Sequence, residues 1–296
     1  MKKWSDTRAP AGRIAYVNGR YLPHGNASVH IEDRGLQLGD SIYEVTSVLA
    51  GRQIDEEAHL DRLERSLREI GMAMPMGRTA LKLVMRELIA RNKISNGLLY
   101  LQVTRGATRR EHVPPAAPMK PTLIMTVRAQ DMAAVKARME KGVAVVSEPD
   151  LRWGRCDIKT VQLLPNLLAR QAAKAKGAFE AWLVDRDGFV TEGAATNAWI
   201  VDEKGEVVTR DLSKAILPGV TRRIILEAIS GADMKVVERK FTVAEAKSAR
   251  EAFLSSATGA GVPVVAIDGV SIGDGKPGPF TRRIHELYAR KAGIKG

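Results

Sequence analysis

Lys159 is the side chain with the most chemistry open to it. It sits between Ile158 and Val161, after a short β-branched run at 142–147 and before a helical pattern at 163–176. An amine partly withdrawn from water loses its charge more readily than the reference pKa of ~10.4 suggests. The neutral form attacks carbonyls and forms Schiff bases. Most lysines are solvated surface charges, and the local spacing alone leaves both readings open. A second candidate is Glu192, in Val-Thr-Glu-Gly-Ala-Ala-Thr-Asn at 190–197. Its small, turn-forming neighbours favour a solvated turn carboxylate. Two further segments suit an anion. Leu-Pro-Gly-Val-Thr at 217–221 opens a helical pattern, so the amides of Val220 and Thr221 and the positive end of the helix dipole face outward. Ser-Ser-Ala-Thr-Gly at 255–259 follows a strand pattern and lets backbone approach an anion around Ser256 and Ala257.

Other chemistries lack their residues. His24, His30, His59, His112 and His285 show no paired ligand spacing, so no metal site is expected. The stretch 269–277 has the wrong spacing for a phosphate-binding loop, and no dinucleotide fingerprint or hydrolase elbow is present.

The positioning elements are legible in outline. Asn18-Gly19 joins two strands as a hairpin. Asp33-Arg34-Gly35 reads as a turn, and 41–49 as a strand. Residues 56–70 form an amphipathic helix ending at Gly71, and 79–91 a second. Strands at 98–105 and 122–127 flank a proline-bearing loop with Arg109, Arg110 and His112, too long and too chemically varied to be idle. The polar, Ala/Lys-rich segment 129–141 reads as a link between two domains, 1–130 and 131–296. Beyond it, strands and helices alternate, with a helix at 218–230, a capping box at Thr242–Glu245 and a closing helix at 280–292.

The 296 residues, 45% hydrophobic and 27% charged, suit an ordinary globular protein of two domains. No apolar run is long enough to cross a membrane, and residues 1–13 are a basic, flexible extension without the apolar core of a signal peptide. One cysteine, Cys156, excludes an internal disulfide framework and fits the reducing cytoplasm. The net charge of +12 is dispersed rather than blocked, which favours a small anionic ligand over nucleic acid.

Taken in order, the motifs Glu-Asp-Arg-Gly-Leu-Gln-Leu-Gly-Asp-Ser-Ile-Tyr-Glu at 32–44, His-Leu-Asp-Arg at 59–62, Val-Thr-Arg-Gly at 103–106, Arg-Glu-His at 110–112, Arg-Cys-Asp-Ile-Lys at 155–159, Thr-Glu-Gly through Asn at 191–197 and Leu-Pro-Gly-Val-Thr-Arg at 217–222 resemble the fold-type IV pyridoxal-phosphate enzymes, the class IV aminotransferases. The likeness runs from about Tyr16 onwards and is nearest to the D-amino acid aminotransferases. It implies an α+β fold, with a smaller N-terminal α/β domain and a larger C-terminal domain built on a mixed, barrel-like sheet with helices. It also implies pyridoxal 5′-phosphate as cofactor, D-amino acids and 2-oxo acids as substrates, and a homodimer. Lys159 would carry the cofactor as a Schiff base and move the substrate proton. Glu192 would accept the pyridine N–H. Arg62, Val220, Thr221, Ser256 and Ala257 would hold the phosphate. Tyr43, Arg110 and His112 would take the substrate carboxylate, the last two across the subunit interface.

Ala194-Ala195-Thr196 departs from the family's serine cluster, Ala257 from a frequent threonine, and Pro218 from a more usual lysine. Branched-chain L-amino acid aminotransferase, (R)-amine transaminase and aminodeoxychorismate lyase remain open as alternatives, as does a basic binding protein that kept the fold without catalysis.

Overall fold

The computed structural model describes residues 12–294; the extension expected at 1–13 lies, up to residue 11, outside the described residues. The chain divides into two compact units, one of residues 12–130 with Lys159–Gln162, the other of residues 131–158 and 163–294.

In the first unit the elements are β1 (Ile14–Val17), β2 (Arg20–Pro23), α1 (Arg34–Leu38), β3 (Ser41–Leu49), β4 (Arg52–Gln53), α2 (Glu56–Glu69), α3 (Arg78–Arg91), β5 (Gly97–Thr104) and β6 (Thr122–Ala129). The strands form one antiparallel sheet in the order β2-β1-β6-β5-β3-β4. The hairpin Asn18-Gly19 has positive φ at both residues, 48° and 90°, as a two-residue turn with right-handed strand twist requires. Helix α2 buries Leu60, Leu63 and Leu67, and α3 buries Leu81, Met85 and Leu88. Asp33 does not sit in a simple turn. It caps α1, accepting from the Gly35 amide at 2.9 Å and from the Thr104 hydroxyl at 2.8 Å.

Lys159–Gln162 belongs with this unit because it pairs with the start of β3. The Tyr43 amide donates to the Lys159 carbonyl at 3.0 Å, and the Val161 amide donates to the Ser41 carbonyl at 3.3 Å.

The second unit begins with α4 (Met132–Lys141), where the sequence reading expected a link. Alanine and lysine are strong helix formers, and Asp131 caps the start by accepting from the Ala134 amide at 3.0 Å. None of its residues is fully buried and only Met139 reaches a core, so its apolar stripe is thin, which is why it read as a link. Then come β7 (Val143–Pro149), α5 (Leu164–Ala175), β8 (Glu180–Val184), β9 (Val190–Gly193), β10 (Asn197–Val201), β11 (Val207–Thr209), α6 (Val220–Ile229), β12 (Val236–Glu238), α7 (Val243–Ser248), β13 (Glu251–Ser256), β14 (Gly259–Ile267), β15 (Val270–Ser271) and α8 (Pro279–Lys291). Nine strands make a mixed sheet in the order β12-β11-β10-β13-β14-β7-β8-β9, with β15 on β14. Pairings β14·β7, β7·β8 and β11·β12 are parallel and the others antiparallel. Trp182, Val190, Ile200, Val208, Phe241 and Leu254 pack one core of this unit; Trp199, Val207, Ile225, Phe253 and Ile284 pack another. An antiparallel sheet with three helices and a mixed sheet with several make the protein α+β.

Candidate active site

Lys159 is half-buried, and its Nζ lies 3.3 Å from the Tyr43 hydroxyl and 4.3 Å from the centre of the Tyr43 ring. The backbone pairing of Lys159 with Tyr43 brings the two side chains together. Tyr43 in turn stacks on Tyr100 with ring centres 5.8 Å apart. The Tyr100 hydroxyl donates to Gln102 Oε1 at 2.8 Å, and burial, with the neighbouring Tyr43, pushes its pKa up to about 12. The amine thus meets one aromatic face and one phenol, a setting that can orient it and exchange a proton with it.

Next to Tyr43 on β3, Glu44 points to the opposite face of the sheet and is buried. It accepts Nε and Nη2 of Arg62 at 2.7 and 2.9 Å, and lies 2.8 Å from Nδ1 of His59. Burial raises the Glu44 carboxyl, but Arg62 and His59 outweigh it and hold the group well below the usual carboxylate range. The His59–Arg62 spacing on α2 puts both side chains on one face, so a single carboxylate fixes both.

The loop carrying Arg110 and His112 is anchored by a residue whose role the sequence reading missed. Buried Arg34 donates Nη1 to the Glu111 carbonyl at 2.6 Å and Nη2 to the His112 carbonyl at 3.0 Å. Its Nε meets Asp40 at 2.8 Å, and Arg105 binds the same carboxylate through Nε at 2.7 Å and Nη2 at 3.0 Å. Burial alone would raise the Asp40 carboxyl, but the two guanidinium groups bring it below its ordinary range. Arg110 and His112 themselves are exposed.

In the second unit, Glu192 is not the solvated carboxylate its neighbours suggest. It lies in β9, 5% exposed. Its oxygens accept from Arg152 Nη1, from Asn197 Nδ2 at 2.9 Å, and from the Leu217 amide at 3.1 and 3.2 Å. Burying a carboxylate is costly unless it is paired and hydrogen-bonded, and here it is both. Arg152 also grips Asp150 through Nε at 2.9 Å and Nη2 at 2.7 Å, and donates to the Ala215 carbonyl at 3.0 Å. Burial works against the Arg152 charge, but Glu192 and Asp150 reverse that and raise its pKa. No local signal marks Arg152: an Asp-x-Arg pair beside a strand usually faces water, and only the fold shows both side chains largely withdrawn from it.

Asn197 joins Glu192 to the start of α6, because its Nδ2 also donates to the Leu217 carbonyl at 3.1 Å. The helix begins at Val220, so Pro218 stands outside it and Gly219 is the N-cap, with no side-chain cap bond. Val220 and Thr221 are buried at 4% and 3%, with first-turn amides of the kind that bind an anion. The 255–259 segment is the hairpin between β13 and β14, where the Ser256 and Thr258 hydroxyls lie 2.9 Å apart. In the departing segment, the Thr196 hydroxyl is buried without a hydrogen-bond partner. The Ala194 carbonyl accepts from Asn166 at 2.7 Å, and the Ala195 amide donates to buried Glu180 at 3.3 Å. Backbone bonds therefore tie down this segment. Cys156, whose thiol reaches the Trp153 carbonyl, is pushed by burial up to about 11.

The comparisons with known proteins agree on one family. The amino-transferase class IV family matches residues 41–267. A D-alanine aminotransferase of Listeria innocua serovar 6a is 36% identical over 277 residues, covering 93% of this chain and 94% of its own. That of Bacillus licheniformis is 37% identical over 269 residues, covering 90% and 93%. Among solved structures, the branched-chain amino acid aminotransferase of Escherichia coli superposes with a TM-score of 0.87 at 22% identity, with 96% of each chain covered. A hypothetical aminotransferase from Mycobacterium tuberculosis, in its PLP-bound form, gives 0.79 at 21% identity over 94% of this chain and 98% of its own. At such identity the structures speak for the fold, which is the fold-type IV arrangement, while the family match and the relatives over nine-tenths of the chain speak for descent. With a half-buried lysine on a phenol and a buried glutamate tied to an uncapped helix start, the chain belongs to the class IV aminotransferases.

Proposed function

We propose that the protein is a pyridoxal-phosphate transaminase that exchanges the amino group between D-amino acids and 2-oxo acids in a ping-pong cycle. The observation that carries this reading is the direct link from Glu192 to the start of α6 through the Leu217 amide and Asn197. It sets a buried anionic acceptor at a fixed distance from an uncapped row of amides. That pairing suits a ligand with a ring N–H at one end and a phosphate at the other. The D-alanine aminotransferase relatives support the hand of the substrate.

When bound, the cofactor supplies an aldehyde carbon for amine exchange and a ring that takes up the electrons left at the substrate Cα. Lys159 Nζ would be the residue that holds the cofactor at its aldehyde carbon, and its free amine would accept and return the substrate Cα proton. The Tyr43 hydroxyl orients Nζ. Glu192 keeps the ring nitrogen protonated. The amides of Val220 and Thr221 and the Ser256–Ala257 turn hold the phosphate. Arg62, with its plane fixed by Glu44, adds a charge there. Arg110 and His112 receive the substrate carboxylate at the active site of a second copy of the chain, so the working form is a homodimer. A single cysteine fits work in the reducing cytoplasm.

The test is a half-reaction panel. The pyridoxal form is mixed separately with D-alanine, D-glutamate, L-leucine and (R)-1-phenylethylamine, and conversion to the pyridoxamine form is followed by absorption. D-alanine and D-glutamate are expected to react; reaction with L-leucine alone would overturn the substrate assignment. Lys159→Ala is expected to remove the bound-cofactor colour in the visible. The shared site has its own readout: mixing Lys159→Ala with Arg110→Ala should restore activity through hybrid dimers that keep one intact site.

A further inference from the structure

Glu192 can keep a ring nitrogen protonated only if its negative charge is felt there. Yet the side chain closest to it is a cation, Arg152, buried with 7% of its side chain exposed. A lone Glu192–Arg152 pair would be neutral overall and would offer a ring N–H little field. Asp150 changes that balance. Its two oxygens take Nε and Nη2 of Arg152 at 2.9 and 2.7 Å, and Oδ2 also accepts from the Thr191 hydroxyl at 2.7 Å. Burial raises the Asp150 carboxyl, but Arg152 and Thr191 bring it below its ordinary range, so it is charged at neutral pH. The chain Asp150–Arg152–Glu192 therefore holds two negative charges and one positive. Asn197 and the Leu217 amide, which also bind Glu192, are neutral groups.

We propose that Asp150 and Arg152 are positioning residues that together deliver a net negative charge to the ring nitrogen through Glu192. Arg152 locks the carboxylate in place, and Asp150 cancels the positive charge this costs. The inference rests on the cofactor assignment made above and adds to it two residues that never touch the cofactor.

The test compares two ligands on the apoprotein: pyridoxal phosphate, and its deaza analogue in which C–H replaces the ring nitrogen. Only the first can give a proton to Glu192. Binding is read by quenching of tryptophan fluorescence, without turnover. In the wild type, pyridoxal phosphate binds more tightly than the analogue. Asp150→Asn makes the cluster neutral, and the ratio of the two affinities should fall on the order of tenfold, as expected for losing one charge at short range in a partly buried site. Asp150→Glu should restore the ratio. Thr191→Val removes a contact to Asp150 but leaves all three charges, and should leave the ratio unchanged. If Asp150→Asn does not fold, Arg152→Gln reads the same balance with the opposite sign, since two uncompensated carboxylates shift the ratio towards pyridoxal phosphate. Equal weakening of both ligands by Asp150→Asn would mean a purely structural role and overturn the inference, as would no change at all. A wild type that binds neither ligand would overturn the cofactor assignment itself, and this inference with it.

Discussion

Glu44 accepts Arg62 through two parallel bonds, Nε at 2.7 Å and Nη2 at 2.9 Å, beneath the sheet of the first unit. A bidentate fork fixes the guanidinium plane as well as its charge. Removing the carboxylate takes the bidentate acceptor from Arg62 and the Nδ1 partner from His59, so Glu44→Ala is expected to cost about 3–5 kcal/mol of stability. It should also weaken cofactor binding, because Arg62 loses its orientation. The pH dependence follows from the lowered carboxyl. A folded pKa below the ordinary 4.5 contributes stability that is fully present above about 4.5 and is lost as the pH falls further towards the folded value. Denaturant midpoints of wild type and Glu44→Ala should stay apart at neutral pH and converge below that point. A constant gap from neutral pH into strong acid would show that the pair is not the source.

Cys156 gives a simpler reading of burial. The thiol is pushed up to about 11 from 9.0, chiefly by desolvation, and the attacking species is the thiolate. Alkylation at mildly alkaline pH should be at least tenfold slower in the folded protein than in denaturant, since each unit of pKa costs a factor of ten in thiolate. Equal rates would contradict the burial described for this residue.

Gly219 is the N-cap of α6, with ordinary φ of −62°, so its size matters rather than its flexibility. A Cβ built there would stand 2.0 Å from Asn197 Oδ1. Asn197 is the side chain that ties Glu192 to Leu217, so it cannot move without loosening both. Gly219→Ala is expected to destabilise by roughly 1–3 kcal/mol and to weaken cofactor binding in parallel. A variant with wild-type melting and wild-type affinity would mean that Asn197 gives way freely.

What was readable in the sequence was mostly the first link of each contact. Lys159, Glu192 and the Val220–Thr221 helix start stood out through residue type and through motif order. Their partners did not. Glu44, Asp150 and Arg152 are charged residues whose sequence neighbours would suit a solvated surface equally well; their burial follows from strands and helices distant in sequence. Glu192 itself misled, since Gly193 and the small residues after it imply a turn, whereas pairing with β8 makes β9 a buried strand. The helix α4 was missed because its inner side is only half-buried, so alanine and lysine dilute its apolar period. Strands β11 and β12, three residues each, are too short to show alternation.

Arg34 offers the test of how the carboxylate-binding loop is held. Its guanidinium gives Nη1 to the Glu111 carbonyl and Nη2 to the His112 carbonyl, so it grips two successive peptide groups just past Arg110. Main-chain anchors fix the loop without using the side chains that face solvent. Arg34→Met removes the grip while filling much of the volume, and leaves Asp40 paired with Arg105. Arg109 and Arg110 are exposed and make a tryptic site, but a protease needs the surrounding backbone to open before it can cut. Trypsin cleavage at this pair is therefore expected to be about tenfold faster in Arg34→Met than in wild type, a factor that corresponds to ~1.4 kcal/mol of lost local stability and to one or two carbonyl bonds. KM for D-alanine should rise more than kcat falls, because Arg110 and His112 are displaced rather than removed. If cleavage at Arg109–Arg110 keeps its wild-type rate, the loop is held by something other than Arg34, and the two carbonyl bonds carry little of its order.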